Sequence, residues 1–171
     1  HKDSLGNAGT ITAGDVQWMT SGGGIMHEEM PGPVDGKMAG FQLWVNLPSE
    51  LKMSDPNYQE IPSEDIPEID IGSSARIRVI AGEVGDTIGP VRKIAVKPLY
   101  LDVSVKSETE FKHDITPGHN AFAYIFEGAF MVEGIAVDSP SLVVFSDGDH
   151  IEIRTGNRPA RFLLVAGMPI N

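Results

Sequence analysis

Apolar and polar residues alternate with a period of two along much of this chain, in short runs closed by Gly, Pro, Asn, Asp or Ser. That period places successive side chains on opposite faces of a strand. The clearest runs are Phe41 to Leu47 and Ala75 to Ala81; Leu99 to Val105, Ala121 to Phe126, Leu142 to Phe145, His150 to Arg154 and Arg161 to Val165 read as further short strands. Thr10 to Thr12 reads as a further short strand. Pro48-Ser49-Glu50-Leu51 reads as a single helical turn that Ser49 is able to cap. Many short strands separated by turn signals predict an all-β sandwich or barrel.

The chain is organised around Gly14-Asp15-Val16-Gln17-Trp18-Met19-Thr20, the turn Ser21-Gly22-Gly23-Gly24, and Ile25-Met26-His27-Glu28-Glu29-Met30-Pro31. This reads as strand, glycine turn, strand. Val16 and Trp18 share a face of the first strand; Ile25, His27 and Glu29 share a face of the second. Asp15 is expected to satisfy turn amides. An imidazole and a carboxylate two residues apart on one strand face suit a single divalent metal of the non-haem iron kind. The spacing equally describes an exposed His-x-Glu on an edge strand. A phosphate-loop reading of the glycines fails, because no Lys-Ser/Thr follows and no helix opens there. Trp18, Met26 and Met30 are read as core packing, with an apolar wall of a pocket as the functional alternative. For Gln42 and Asn46 the readings are ordinary strand polarity or a pocket lining.

Residues 54 to 73 carry Pro56, Pro62 and Pro67 among acidic residues and read as a connector between domains. The expected division is a partial metal-binding unit at 1–60, a linker at 61–74 and a second unit at 75–171. A loose internal echo joins Gly14-Asp15 to Gly148-Asp149. Superposing the two halves puts Arg161 at the position of His27, and Asp114 and Thr116 at the other ligand positions. Arg161 has no acceptor atom for a metal, so the second unit is expected to be metal-free. His113, Asp114 and His119 are read as loop residues, with remnants of a ligand set as the alternative, and His150 as a surface turn residue beside Asp149.

The composition narrows the function classes. Hydrophobic residues make up 41% and charged residues 22%, enough for a buried core. The net charge of -11 repels polyanions, so direct nucleic-acid binding is not expected. The densest basic group, Arg76, Arg78, Arg92, Lys93 and Lys97, reads as outward strand positions. No apolar run approaches the roughly 18 residues that span a membrane. With no cysteine there are no disulfides or thiolate sites, which fits a reducing cytoplasmic or nuclear setting.

The Gly14–Pro31 motif resembles the signature of the pirin family. So do Phe41-Gln42-Leu43-Trp44-Val45-Asn46-Leu47, Leu99 to Val103, Pro117 to Phe122 and Arg161 to Leu164. The resemblance implies two tandem cupin domains, that is, double-stranded β-helix or jelly-roll barrels, with iron in the first. It implies a site of three histidines and one glutamate, of which the last histidine falls on His27 and the glutamate on Glu29. The other two histidines belong to a His-Pro-His segment that precedes His1 in the family. His1 itself aligns with a family histidine that is not a ligand. The family also continues past Asn171, so the first cupin unit is expected to be incomplete here.

The resemblance further implies a dioxygenase acting on a flavonol such as quercetin. Open positions on iron would take oxygen or the substrate hydroxyl. Glu29 would be a ligand or a general base for the phenolic proton. Neutral His27 would coordinate through one nitrogen, its other N–H fixed by a neighbouring acceptor. The alternative function is a metal-dependent regulatory module that binds a protein partner, for which the acidic surface suits basic partners. A third reading is a scaffold that holds metal poorly. A monomer is expected. No Gly-x-Ser-x-Gly elbow, Walker motif or Cys nucleophile offers a competing catalytic set.

Overall fold

The computed structural model describes residues 1–4, 6–33 and 35–170, and is almost entirely β. Two compact units divide the chain, His1–Ser63 with Ile170, and Glu64–Pro169.

Among its described residues the first unit holds four short strands: β1 (Lys2–Asp3), β2 (Val16–Thr20), β3 (His27–Glu28) and β4 (Asn57–Ile61). They form two antiparallel pairs, β1 with β3 and β2 with β4. In the second pair Gln17 lies across from Glu60 and Met19 across from Tyr58.

The second unit is built on β5 (Glu68–Ile71), β6 (Ala75–Ala81), the small hairpin β7 (Glu83–Val84) and β8 (Thr87–Ile88), β9 (Leu99–Val105), β10 (Glu110–Asp114), β11 (Asn120–Val132), β12 (Ile135–Asp138), β13 (Ser141–Val144), β14 (His150–Arg154) and β15 (Ala160–Gly167). Its main sheet runs β10-β14-β11-β15-β9-β6-β5, with β12 and β13 also pairing with β11. The long strand β11 serves two ladders. Phe122 to Ile125 pair with β13, and Ala129 to Val132 pair with β12. Between them the register against β15 slips at Ile125/Glu127. Gly128 follows with φ +75, where a side chain would run into the Pro159 carbonyl. A bulge followed by a left-handed glycine is how a strand turns a corner and joins two sheets. That corner lets the sheet curl on itself.

The curl is filled with apolar side chains. Ile77, Val79, Leu101, Val103, Phe111, Ile125, Phe130, Ile153, Phe162 and Leu164 are all but sealed from solvent. Phe162 sits edge-on to Phe111 at 6.0 Å and to Phe130 at 5.5 Å between ring centroids. Edge-to-face aromatic contacts of this kind match the ring quadrupoles and add to area burial. Alternation sends the other side chains to the opposite face. There Arg76 pairs with Asp70 at 2.8 Å, and Arg78 lies 3.4 Å from Glu68 and 3.7 Å from Asp102. Two members of the densest basic group are thus strand residues engaged by carboxylates.

Several sequence expectations change. The runs at 75–81, 99–105 and 150–154 are strands as read. Phe41 to Leu47 is not in a ladder, and Trp44 is 87% exposed. Alternation is necessary for a half-buried strand, but a strand also needs a neighbour for its backbone groups. Thr10 to Thr12 is likewise unpaired. The acidic stretch 54–73 carries two strands, β4 and β5. The run at 121–126 extends further than read, because β11 continues through Glu127-Gly128 to Val132. His113 and Asp114 belong to β10 rather than a loop, and His150 opens β14. Ser49 begins a 3-10 turn, but its hydroxyl caps nothing and instead meets Glu50 at 3.2 Å. No helix among the described residues is long and apolar enough to cross a membrane.

Candidate functional site

The turn between β2 and β3 depends on its glycines. Gly22 and Gly24 have φ of +51 and +129, and a side chain on Gly22 would collide with the Ser54 carbonyl. Gly23 N–H donates to that same carbonyl at 2.8 Å, and Gly24 N–H to Ser21 O at 2.9 Å. The chain is thereby reversed tightly enough to start β3 at His27. At the head of β2, the Asp15 carboxylate accepts from Thr12 N–H at 2.7 Å and from Ser63 N–H at 2.8 Å. It satisfies turn amides, as its position predicted.

β3 pairs with β1, with Glu28 across from Lys2 and His27 across from Asp3. Lys2 and Glu28 form an ion pair at 2.8 Å on one face. His27 occupies the other face, with Asp3 beside it, because directly opposed residues share a face. Glu29 follows β3, and both His27 and Glu29 are exposed. The Asp3 carboxylate is held by Asn7, through its backbone N–H at 2.9 Å and its side-chain amide at 2.6 Å. No group of three or more His, Cys, Asp or Glu able to hold a metal occurs among the described residues. The donor types at His27 and Glu29, one imidazole nitrogen and one carboxylate, fit a borderline divalent metal. In number they make two of the four or more donors such a metal takes.

The same unit contains a cluster that the sequence reading missed. His1 Nε2 lies 2.7 Å from a Glu60 carboxylate oxygen, and His1 Nδ1 lies 2.7 Å from the Tyr58 hydroxyl. The His1 side chain is only 5% exposed. Burial, then the carboxylates of Glu60, Asp3 and Glu29, push the Tyr58 hydroxyl up to about 12. Tyr58-x-Glu60 is itself a same-face pair on a strand. That signal lay inside a stretch whose prolines and acids read as a connector.

Met26 and Met30 are exposed, at 78% and 67%, and are not core. Their neighbours lie on a two-residue strand, which buries little. Trp18 is half-buried on β2. Asn46 accepts from Lys52 Nζ at 2.8 Å and from Leu47 N–H at 3.0 Å, which makes it a surface loop residue. Gln42 is exposed.

In the second unit, Arg161 is paired. Its guanidinium donates to both oxygens of the buried Asp102, at 3.0 and 2.7 Å, and stacks 5.2 Å from the Phe126 ring. His113 lies parallel to Phe111 at 6.3 Å, and burial pushes its imidazole below the usual range. With Asp114, Lys112, Glu83, Val84 and Gly85 it lines a shallow cleft of about 570 Å³. Thr116 is exposed, and His119 N–H closes a turn on its carbonyl. His150 is exposed and meets Asp149 at 2.6 Å.

Against known families, residues 1–45 match the pirin model and residues 100–171 the pirin C-terminal cupin domain. The chain belongs to the pirin family. A pirin-like protein of Caulobacter vibrioides is 42% identical over 99% of this chain. Pirin-1 of Arabidopsis thaliana is 40% identical, again over 99%. The chain spans 62% and 60% of the lengths of these two relatives. Among solved structures, a quercetin 2,3-dioxygenase from Acinetobacter baumannii superposes with a TM-score of 0.86 at 31% identity, covering 99% of this chain and 61% of that one. GK1651 from Geobacillus kaustophilus gives 0.85 at 36% identity, covering 99% and 70%. The pirin match takes in His27 and Glu29. The cupin match takes in β9 to β15, the greater part of the curled sheet.

Proposed function

We propose that this pirin chain carries part of an iron-dependent dioxygenase acting on a flavonol such as quercetin, with His27 and Glu29 as two of the metal ligands. In this reading residues 1–60 are the metal-binding part, 61–74 the linker, and 75–171 a cupin-like part without metal ligands. The observation that carries it is the placement of an imidazole and a carboxylate, both open to solvent, directly after the glycine turn. Likeness to a solved quercetin 2,3-dioxygenase supports the substrate class.

The chain's own residues would act as follows. His27 offers a ring nitrogen lone pair in its neutral form. Glu29, two residues on and just past β3, offers a carboxylate oxygen. The turn at Gly22 to Gly24 sets where β3 begins, and hence where both residues lie. Iron bound there would supply a Lewis-acidic centre at which a flavonol hydroxyl and dioxygen can meet.

The test is metal content and quercetin-dependent oxygen uptake by the intact protein. Near-stoichiometric iron and uptake, both lost in His27→Ala and Glu29→Ala, are expected. Retention of one iron per chain by His27→Ala would remove His27 from the site. Full iron without quercetin-dependent uptake would remove the flavonol reading.

A second reading, a metal-dependent module that binds a protein partner, is favoured by the exposure of Trp44, Met26, Met30, Met38 and Met53 in the first unit.

A further inference from the structure

A carboxylate bound to a cation is a weak base, because the cation's charge holds its lone pairs. If Glu29 is a ligand, the proton of a phenolic substrate needs another acceptor. The first unit contains one ready-made. Tyr58, His1 and Glu60 form a continuous hydrogen-bonded chain, with both links at 2.7 Å. The Glu60 carboxylate can only accept, so His1 Nε2 carries the hydrogen it receives. With the imidazole neutral, His1 Nδ1 is the bare nitrogen, and the Tyr58 O–H donates to it. Tyr58 also approaches Nε2 at 3.3 Å, the longer and weaker of the two contacts. The tautomer is the one a relay requires: a hydroxyl, a neutral imidazole able to take its proton, and a carboxylate to stabilise the imidazolium.

Three further observations bear on this chain. The β1–β3 register, Lys2 with Glu28 and Asp3 with His27, carried one residue further, sets His1 across from Glu29. Tyr58 feels the Glu29 and Asp3 carboxylates as well as that of Glu60. Gln17, directly across from Glu60 on β2, has a buried side-chain amide nitrogen with no hydrogen-bond partner among the described residues. An unsatisfied buried donor is costly unless something fills it, and an oxygen of a bound ligand would do so. Gly9 closes over the pair, since a side chain there would run into Glu60 and the His1 ring.

We propose that Tyr58, His1 and Glu60 form a proton relay that takes the hydroxyl proton of a phenolic substrate held at the His27–Glu29 face. The relay rests on the flavonol reading above. The substrate O–H bond breaks and its proton goes to the Tyr58 oxygen. The Tyr58 proton passes to His1 Nδ1, and the imidazolium is held by Glu60. The products are a substrate phenolate and a protonated His1, with no change of oxidation state. The charged groups facing the relay are Glu60 on β4, Asp3 on β1 and Glu29 beyond β3.

The experiment compares quercetin oxidation as a function of pH in the intact protein and in its Tyr58→Phe and Glu60→Gln variants. Both variants should lose about 10²-fold in kcat at the plateau, with iron content unchanged and the acid limb of the profile displaced. Variants that keep the unsubstituted plateau and acid limb overturn the relay. If the unsubstituted protein does not oxidise quercetin, it is the flavonol reading that falls. Imidazole nitrogen NMR then decides the relay separately. A bare Nδ1 whose resonance moves in Tyr58→Phe supports it, and a hydrogen resident on Nδ1 overturns it.

Discussion

Arg161 grips Asp102 with two nitrogens, Nε at 3.0 Å and a terminal nitrogen at 2.7 Å. The carboxylate is 7% exposed and the guanidinium is on the surface side of it. Arg78 approaches the same carboxylate at 3.7 Å. Asp102→Ala removes the shared partner of two cations. Breaking a fully buried pair costs about 3–5 kcal/mol, and the exposure of Arg161 lowers that to about 2 kcal/mol. Urea unfolding followed by circular dichroism should show a lower midpoint. An unchanged midpoint would mean the pair contributes nothing to the fold.

Gly128 and Gly118 make a controlled comparison. Both have positive φ, +75 and +81. A methyl group at 128 meets the Pro159 carbonyl, whereas at 118 it meets nothing within 4 Å. Gly118→Ala should cost about 1 kcal/mol from backbone strain alone. Gly128→Ala adds a backbone collision at the corner of β11 and should cost at least about 3 kcal/mol. Equal losses in thermal unfolding would show that the corner does not need the missing side chain.

Tyr58 should ionise near pH 12, seen as a late step in absorbance at 295 nm. Burial is the main cause and the Glu60 charge the next, so Glu60→Gln should bring that step to lower pH. The unfolded tyrosine ionises near 10. Between about 10 and 12 the unfolded chain therefore holds fewer protons than the folded one, and stability falls as pH rises through that window. A titration with every tyrosine ionising near 10 would contradict the burial of Tyr58.

His113 acts at the other end of the scale. Burial lowers its folded pKa below the unfolded value of about 6.5. Above that value both states are neutral and the residue adds no pH dependence. As pH falls below it, the unfolded chain takes up the proton first, so stability falls until the folded pKa is passed. His113→Gln should flatten that part of the stability curve, as measured by denaturant midpoints between pH 7 and 5. A slope unaltered by the substitution would assign it to other groups.

Strand positions, turn glycines and the His27-x-Glu29 pair were legible in the linear sequence, because each rests on local rules. Period-two alternation located Ala75 to Ala81 and Leu99 to Val105. Positive-φ demands explain Gly22 and Gly24. The likeness of Gly14–Pro31 to the pirin signature points to the family from sequence alone. What alternation could not decide was pairing. Phe41 to Leu47 alternates as cleanly as β6 yet has no ladder here, since the partner strand is not a property of the segment itself. The tertiary structure alone brought His1 to Tyr58 and Glu60, across 57 residues of chain in the case of Tyr58. It alone placed Asp102 under Arg161. Both are contacts between side chains far apart in sequence, and they form only where folding removes the groups from water and leaves each as the other's nearest polar partner.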